Sequence, residues 1–145
     1  MQKITTFLWF DHQAEEAARH YVSIFPNSRI TELSPIMVAF ELDGQRFYAL
    51  NGGPQAAFNE AVSLYVDCDD QDEVDRLWAR LIADGGEEGR CGWLKDRYGL
   101  SWQIIPRALP HLLGDPDPGR AERAVQAMLQ MTRIDVRALE KAANG

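Results

Sequence analysis

Apolar and polar positions in the first fifty residues follow a strand pattern, then a helix pattern, and then strands again. Residues 4–10 alternate with a period of two, which predicts a strand with one set of side chains on each face. Asp11 is a plausible helix start signal, and apolar residues then recur at helical spacing until Pro26 ends the helix. Further strands are expected over residues 28–33, 36–42 and 46–50. Asp43-Gly44 is a strong hairpin signal between the last two strands, so the order is β-α-β-β-β.

The same order of elements returns in the second half of the chain. Residues 61–66 are predicted to form a strand, and Asp70 with Glu73 resembles a capping box at the start of a helix. Gly85-Gly86 ends that helix. The remaining strands are expected over residues 88–91, 92–95 and 100–105, with a turn over 96–99 between the last two.

The two halves are related by an internal repeat. Residues 7–11 match residues 63–67 at an offset of 56, and the turn glycines Gly44 and Gly99 lie 55 residues apart. One such unit would leave an apolar sheet face exposed. Two β-α-β-β-β repeats are therefore expected to form a curved, cup-like mixed sheet with helices outside, which is an α+β fold. The alternative is two unrelated α+β stretches with a chance similarity.

The last third of the chain is helical. The Asp-Pro pairs between residues 115 and 118 suit a helix N-terminus, and Asp135 is expected to cap a final helix. The predicted organisation is a paired domain over residues 1–106, with halves of about 1–54 and 60–106. A C-terminal helical extension over residues 107–145 is expected to pack on the same domain or on a dimer partner.

Composition restricts the classes of partner. Of the 145 residues, 46% are hydrophobic and 26% charged, which suits one domain with a sizeable core. The net charge of −7 repels phosphate backbones, so no nucleic-acid partner is expected. No stretch approaches the roughly 20 apolar residues that span a bilayer, and no signal-peptide pattern is present, so no membrane partner and a cytoplasmic location are expected. Cys68 and Cys91 have no metal-binding spacing and are expected to be buried, reduced thiols.

Several stretches resemble one protein family. They are FLWFDHQAEEAARHYVSIFPNSRI, FELDGQRFYALNGGP, FNEAV, CGWLKDRYGLSWQIIP and LLGDPDPGRAERAVQAMLQM, which together cover about residues 4–140. They are similar to the PhnB-like branch of the vicinal-oxygen-chelate superfamily, often labelled 3-demethylubiquinone 3-methyltransferase-like. That superfamily includes glyoxalase I, extradiol dioxygenases and the fosfomycin and bleomycin resistance proteins. The segment between Ile30 and Val38 is shorter here than the family usually carries.

The resemblance implies where a metal ion would bind. Enzymes of the superfamily hold a divalent ion with His and Glu side chains on the first and last strands of each half. The matching positions here are Thr5, Tyr48, Ala61 and Gln103, none of which is His, Asp or Glu. A one-residue shift in register brings only Glu60 into the set, so no metal site is predicted.

Other catalytic signatures are also missing from the sequence. His12, His20 and His111 are expected to be solvated surface side chains. Neither Gly52-Gly53 nor Gly85-Gly86 forms the Gly-rich strand-to-helix turn of a nucleotide-cofactor methyltransferase. The methyltransferase label is therefore not supported, and no cofactor is predicted.

The residues predicted to line the cup are aromatic and polar. Strand parity and the flanking loops select Thr5, Phe7, Trp9, Tyr48, Asn51, Ser63, Tyr65, Ser101 and Gln103 as ligand-binding residues. Aromatic faces supply stacking area, and hydroxyl and amide groups fix the orientation of a small, partly apolar ligand. The alternative is that the same side chains fill a closed core.

Three functions remain open at this point. The first is a metal-free protein that binds a small molecule in the cup. The second is an enzyme of unknown reaction, either independent of metal with Tyr48 or Tyr65 as acid–base candidates, or glyoxalase- or dioxygenase-like if the strand register differs. The third is a structural or partner-binding module that uses the C-terminal helices. The sequence does not decide whether a reaction is catalysed.

Oligomeric state gives a first test. Superfamily members usually dimerise, so the resemblance predicts a homodimer. Light scattering of the purified protein at micromolar concentration should give twice the mass of one chain. The mass of a single chain at that concentration would contradict the prediction.

Overall fold

The computed structural model describes residues 2–145, which form an α+β fold with additional C-terminal helices. The chain divides into two compact units, one ending at Phe58 and one beginning at Asn59. Each unit contains its own four-stranded mixed sheet. The α+β class and the C-terminal helices predicted from the sequence are confirmed.

The first unit has the predicted β-α-β-β-β order. Its elements are β1 (Thr6–Phe10), α1 (Ala14–Ile24), β2 (Arg29–Leu33), β3 (Met37–Leu42) and β4 (Gln45–Asn51). The strand order in the sheet is β1-β4-β3-β2, with β1 parallel to β4 and the other pairs antiparallel. Parallel pairing of β1 with β4 requires a connection that crosses from one end of the sheet to the other, and α1 is the first element of that connection. The shortened segment between β2 and β3 is a tight turn, in which the Ser34 amide donates to the Met37 carbonyl at 2.9 Å.

Helix α1 covers one face of this sheet. Its small residues and Tyr21 are buried, and Leu8 and Phe10 of β1 are buried with them. Tyr21 lies 6.4 Å from Phe40 between ring centroids, and Phe40 lies 5.5 Å from Phe47. The alternate positions of β1 point away from this core and remain exposed.

The start of α1 differs from the prediction. The helix begins at Ala14 after Gln13, which makes no side-chain cap, so Asp11 as the start signal is wrong. The Oδ1 atom of Asn51 accepts a hydrogen bond from the Ala14 amide at 2.8 Å instead. A residue at the end of β4 thus satisfies a free amide at the helix N-terminus, a long-range contact that local sequence patterns do not encode.

The second unit repeats the first and extends it. Its elements are β5 (Ser63–Cys68), α2 (Gln71–Ile82), β6 (Glu87–Glu88), β7 (Trp93–Lys95), β8 (Ser101–Pro106), α3 (Ala108–Leu113), α4 (Pro118–Met128) and α5 (Val136–Asn144). The strand order β5-β8-β7-β6 matches that of the first sheet element by element. The internal repeat read from the sequence is therefore confirmed by topology. The predicted cap is also present, since the Glu73 amide donates to Asp70 Oδ1 at 2.9 Å.

One predicted strand is wrong. The segment expected over residues 88–91 contributes only Glu87–Glu88 to the sheet. Cys91 and Gly92 have φ angles of 59° and 87°, which interrupt an extended strand. Their amides donate to the carbonyls of Met131 and Thr132 at 2.9 and 2.8 Å, so this segment pairs with the C-terminal extension.

The C-terminal helices pack on the end of β8. A cluster of buried residues joins the strand to the extension; it consists of Ile105, Leu109, Leu112, Ala124, Ile134, Leu139 and Ala143. Gln71 of α2 fastens the segment before α5, because it donates to the Ile134 carbonyl at 2.9 Å and accepts from the Val136 amide at 2.8 Å. The helix N-terminus expected at the Asp-Pro pairs is confirmed, with Asp117 as its cap, and the predicted cap Asp135 is confirmed at the start of α5.

The two cysteine thiols are free, as predicted. Cys68 is buried, whereas Cys91 is only partly buried. Burial raises the pKa of the Cys68 thiol to about 12, and the nearby Glu73 and Asp67 carboxylates add to the increase. Cys68 is therefore protonated and unreactive near neutral pH. In residues 2–145, no helix combines the length and apolar character needed to cross a membrane.

A buried carboxylate closes the turn between β7 and β8. Asp96 is 2% exposed. Its Oδ1 atom accepts from the Tyr98 and Leu100 amides at 2.9 and 3.0 Å, and its Oδ2 atom accepts from the Trp102 indole N–H at 2.9 Å. These contacts fix the hairpin so that Lys95 pairs with Ser101.

Replacement of this carboxylate should destabilise the second unit. Asp96→Ala leaves three donors without their acceptor, and we expect a loss of about 3 kcal/mol in the free energy of unfolding. This change in the free energy of unfolding is measured by denaturant titration, with circular dichroism as the signal. Asp72→Ala, an exposed position in the first turn of α2, is the control and should change stability by less than about 0.5 kcal/mol. Equal stability of the two variants would show that Asp96 does not hold the turn.

Candidate functional site

The first unit presents aromatic side chains on the sheet face opposite α1. Phe7 is 51% exposed and Trp9 is 36% exposed. Phe7 pairs with Tyr48 across the parallel strands, and their ring centroids lie 5.9 Å apart. The predicted residues Phe7, Trp9 and Tyr48 thus share one face of the sheet, and Thr5 precedes β1 as a half-buried residue. This face is called the aromatic face below.

The indole of Trp9 is held in a fixed position by the loop after β4. Its N–H donates to the Gly53 carbonyl at 2.9 Å. A Cβ atom on Gly52 would overlap the indole ring and would come within 2.6 Å of Cζ2, so only glycine leaves room for the ring. The sequence assigns this glycine pair to turn chemistry alone and does not reveal its contact with Trp9.

Asn51 has a structural role within the first unit. Besides the contact with the Ala14 amide, its Nδ2 group donates to the Pro35 carbonyl at 3.1 Å. Both ends of the side-chain amide therefore have partners inside the fold. Asn51 joins the start of α1 to the β2–β3 turn, whereas the sequence suggested that it would contact a ligand.

The second unit presents a mixed face opposite α2, which we call the polar face. Strand register places Tyr65, Gln103 and Trp93 in one row across β5, β8 and β7. Tyr65 is 54% exposed. Gln103 Nε2 donates to Ser63 Oγ at 3.0 Å, which brings two predicted site residues together.

Ser101 lies in the neighbouring row of the polar face, between Ser63 and Lys95. It is 1% exposed, and its hydroxyl has no hydrogen-bond partner among the residues that the structure describes. A buried hydroxyl in this state costs about 1–3 kcal/mol in folding free energy. Such a group is a candidate for contact with a bound molecule.

The lysine that pairs with Ser101 across the strands forms an ion pair. Lys95 Nζ lies 2.9 Å from Glu60 Oε2, with side chains that are 41% and 69% exposed. The hydrogen bond from Lys95 lowers the pKa of Glu60, and the same bond raises the pKa of Lys95. Both groups therefore stay charged over the physiological pH range. The sequence marks Glu60 only as a possible metal ligand and does not reveal its pairing with Lys95, which lies on a strand remote from it in the sequence.

The acid–base candidate Tyr65 does not lie in an activating environment. Desolvation raises the pKa of the Tyr65 phenol, and the nearby Asp67 carboxylate raises it further. A tyrosine that acts as a base needs a depressed pKa. The environment of Tyr65 therefore favours its neutral, hydrogen-bonding form.

The donor set does not fit a divalent metal ion. Thr5, Tyr48, Ala61 and Gln103 offer no imidazole or carboxylate, and Glu60 is engaged by Lys95. Within the described part of the chain, no three His, Cys, Asp or Glu side chains are grouped as ligands. The side-chain chemistry of this chain therefore differs from that of metal-dependent members of the superfamily.

The histidines lie outside both faces. His12 and His111 are exposed, as predicted. His20 is partly buried, because its ring packs against the core residue Tyr21 with a distance of 5.9 Å between ring centroids. The prediction that His20 lies on the solvated surface is therefore wrong. The contact with the core ring accounts for its burial, because His20 follows the edge of the apolar stripe of α1.

A cleft of about 450 Å³ lies elsewhere in the second unit and was not predicted. Its lining consists of Asp75, Trp78, Ala79, Ile82, Glu88, Thr132 and Arg133. Arg133 Nε lies 3.2 Å from Asp75 Oδ1. Arg133 thus already has a carboxylate partner, and Glu88 adds a second negative charge to the lining. The site residues predicted from the sequence are not among its lining.

Comparison with known proteins adds family information to this geometry. The family model described as 3-demethylubiquinone-9 3-methyltransferase matches residues 2–105. A Bacillus cereus structure, described as a putative 3-demethylubiquinone-9 3-methyltransferase, PhnB protein, is 34% identical. The alignment covers 72% of this chain and 99% of that chain, with a TM-score of 0.68. No curated protein matches the chain significantly.

More distant structures share the fold alone. Protein PA1353 from Pseudomonas aeruginosa is 17% identical, with a TM-score of 0.62 over 73% of this chain and 98% of that chain. A glyoxalase-related enzyme from Fulvimarina pelagi is 16% identical, with a TM-score of 0.53 over 74% of this chain and 91% of that chain. These values support the paired-repeat architecture and carry no information about ligands.

Metal content is a direct test of the donor analysis. Protein purified without chelator, then incubated separately with Ni, Zn, Mn and Fe(II) and desalted, should retain no stoichiometric ion, because the expected ligand positions lack suitable donors. Elemental analysis measures the ion-to-chain ratio. A ratio near one for any of these ions would contradict the donor assignment and would direct attention to metal-dependent chemistry.

Proposed function

This chain belongs to the 3-demethylubiquinone-9 3-methyltransferase family, the PhnB-like branch of the vicinal-oxygen-chelate superfamily, and from that premise we propose that it binds a small, partly aromatic molecule without a metal ion. The proposal concerns binding, and it assigns no reaction. Its main support is the aromatic face of the first unit, where an ordered indole remains open to solvent.

The position of Trp9 is unusual for a side chain with no partner molecule. Exposed apolar area is unfavourable in water, yet Phe7 and Trp9 are both substantially exposed on the same face. The indole N–H already has its acceptor, so the ring is oriented before any ligand arrives. A pre-oriented aromatic surface lowers the entropy cost of binding a flat molecule, which supports a binding role.

The donor residues support binding without a metal ion. At the positions where superfamily enzymes carry metal-binding side chains, this chain has a hydroxyl, a phenol, a methyl group and a carboxamide, which belong to Thr5, Tyr48, Ala61 and Gln103. These groups favour hydrogen bonding and packing with an organic ligand over coordination of a divalent ion.

The methyltransferase activity in the family description is not part of the proposal. Each unit has a single strand-to-helix junction at the start of its repeat, and the residues there are Asp11-His12-Gln13 and Asp69-Asp70. Neither junction is rich in glycine, and the second is acidic, which disfavours close approach of a phosphate-bearing or carboxylate-bearing cofactor.

Gly52→Ala tests the role of the aromatic face. The added methyl group should displace the Trp9 indole. If the ligand then loses one aromatic contact worth about 1.4 kcal/mol, its affinity falls about tenfold. The assay is quenching of tryptophan fluorescence by a panel of small neutral aromatic compounds, with thermal shift as a second readout. The matched control is Ile36→Ala, which removes an exposed apolar side chain from the same unit without touching an aromatic ring.

Two results would count against the proposal. If no compound of a broad aromatic panel binds the unmodified protein, the binding role is wrong. If compounds bind equally well to the Gly52→Ala variant and to the control, the aromatic face is not the site. Circular dichroism of each variant establishes that the fold is retained.

A further inference from the structure

The polar face of the second unit contains a basic group beside a buried hydroxyl. Ser63, Ser101 and Lys95 are direct neighbours in one row across β5, β8 and β7. Directly paired residues of adjacent strands project to the same side of a sheet. The Lys95 ammonium and the Ser101 hydroxyl are therefore presented on one side of the sheet, next to the Ser63–Gln103 hydrogen bond.

The Glu60–Lys95 ion pair joins the turn before β5 to the end of β7. Strand β8, which carries Ser101, lies between β5 and β7 in the sheet. Lys95 is the last residue of β7 and pairs directly with Ser101, whereas Glu60 lies in the turn that precedes β5. Their side chains meet at 2.9 Å. The lysine in the row of Ser101 is thus held by a carboxylate from outside that row.

The Ser101 hydroxyl lacks the partner that its burial demands. Its Oγ atom makes no hydrogen bond within residues 2–145, although the side chain is 1% exposed. Buried hydroxyls in folded proteins nearly always have a partner, and those without one often contact a ligand. The Ser101 position pairs directly with Lys95 on the neighbouring strand.

The carboxylate of Glu60 is held weakly. Its side chain is 69% exposed, and that of Lys95 is 41% exposed. Exposed ion pairs contribute little to stability because water and salt screen them. Glu60 also lies in a turn before β5, so rotation of its side chain disturbs no strand. A competing anion therefore needs little free energy to replace it.

From this geometry we propose that the polar face is a recognition site for the carboxylate of a small organic acid, and that Glu60 pairs with Lys95 when no acid is bound. In the bound state Lys95 pairs with the carboxylate of the acid, the Ser101 hydroxyl donates to it, and Glu60 turns into solvent. This site lies wholly within the second unit and goes beyond the proposed binding at the aromatic face, on which it does not depend.

The neighbouring row suits the rest of such an acid. Tyr65, Gln103 and Trp93 lie side by side, so a carboxamide is flanked by two aromatic rings. Aromatic side chains provide apolar area for a carbon skeleton, and a carboxamide both donates and accepts hydrogen bonds. The face therefore provides a charged end and an apolar end for one amphipathic molecule.

The charge of the site selects a monoanion. Lys95 supplies one positive charge, and the adjacent donors are neutral. Glu87 of β6 pairs with Lys95 on its other side, and its negative charge further disfavours a ligand with more than one negative charge. A phosphate group carries more negative charge and is usually bound by several cations or by backbone amides at a helix N-terminus. A single ammonium beside hydroxyl groups is better matched to a carboxylate.

The test compares charged probes with neutral ones. Benzoate and phenylacetate are titrated into the full-length protein, and benzamide and phenylacetamide serve as neutral counterparts. Binding is followed by nuclear magnetic resonance of the labelled protein, with the side-chain signal of Lys95 as the local reporter. We expect saturable shifts of the Lys95 signal with the acids and no such shifts with the amides.

Two variants examine the exchange of carboxylates. Glu60→Gln removes the internal competitor and should increase the affinity for benzoate about two- to fivefold, the range expected for loss of an exposed ion pair. Lys95→Met should weaken benzoate binding at least about tenfold, as expected when a charge-assisted hydrogen bond is lost. Glu15→Gln is the matched control, because it removes an exposed ion pair of 2.8 Å in the first unit and should leave affinity unchanged.

The outcomes separate this inference from the proposed function. If the acids cause no shift at Lys95, or if Glu60→Gln binds benzoate no more tightly than the Glu15→Gln control, the carboxylate site is wrong. Binding of neutral aromatics that depends on Gly52 would still support the proposed function in that case. Tighter binding of the acids to Glu60→Gln together with loss in Lys95→Met would establish the site.

Discussion

The structure depends on one constraint, namely that each β-α-β-β-β unit has a single helix inside its repeat to cover a two-sided sheet. Parallel pairing of β1 with β4 and of β5 with β8 requires a crossover that contains this helix. The helix buries one face, where Leu8, Phe10 and Phe47 lie in the first unit. The opposite face has no such partner within its repeat. The residues placed there by strand alternation are therefore available for binding.

The two units use the uncovered face differently. The first unit carries Phe7, Trp9 and Tyr48, with the indole fixed by a glycine loop. The second carries hydroxyl, carboxamide and ammonium groups, and its C-terminal helices bury Ile105 at the end of β8. The repeat thus preserves the backbone arrangement, whereas the side chains on the uncovered faces differ in polarity. In this chain the expected metal positions carry no imidazole or carboxylate although the topology is kept, so the fold by itself does not fix the ligand chemistry.

Sequence reasoning was reliable where the signal was local. Period-two alternation identified β1, Asp43-Gly44 identified the β3–β4 hairpin, and Asp70 with Glu73 identified the start of α2. It failed where a remote group decided the outcome. Asn51 caps α1 from the end of β4, and the amides of Cys91 and Gly92 bond to the C-terminal extension instead of continuing a strand. No window of neighbouring residues contains these partners.

The sequence by itself determined the repeat, the order of elements and which residues of β1, β4, β5 and β8 share a face, because alternation and turn chemistry are local properties. Only the tertiary structure decided what surrounds Lys95 of β7. Within the turn, the Asp96 amide donates to the Leu100 carbonyl and the Asp96 carboxylate accepts from the Leu100 amide, so Lys95 pairs with Ser101. The carboxylate partner of Lys95 is Glu60, which lies in the turn before β5, remote from β7 in the sequence. Local patterns do not identify such a partner, because folding alone brings the two segments together.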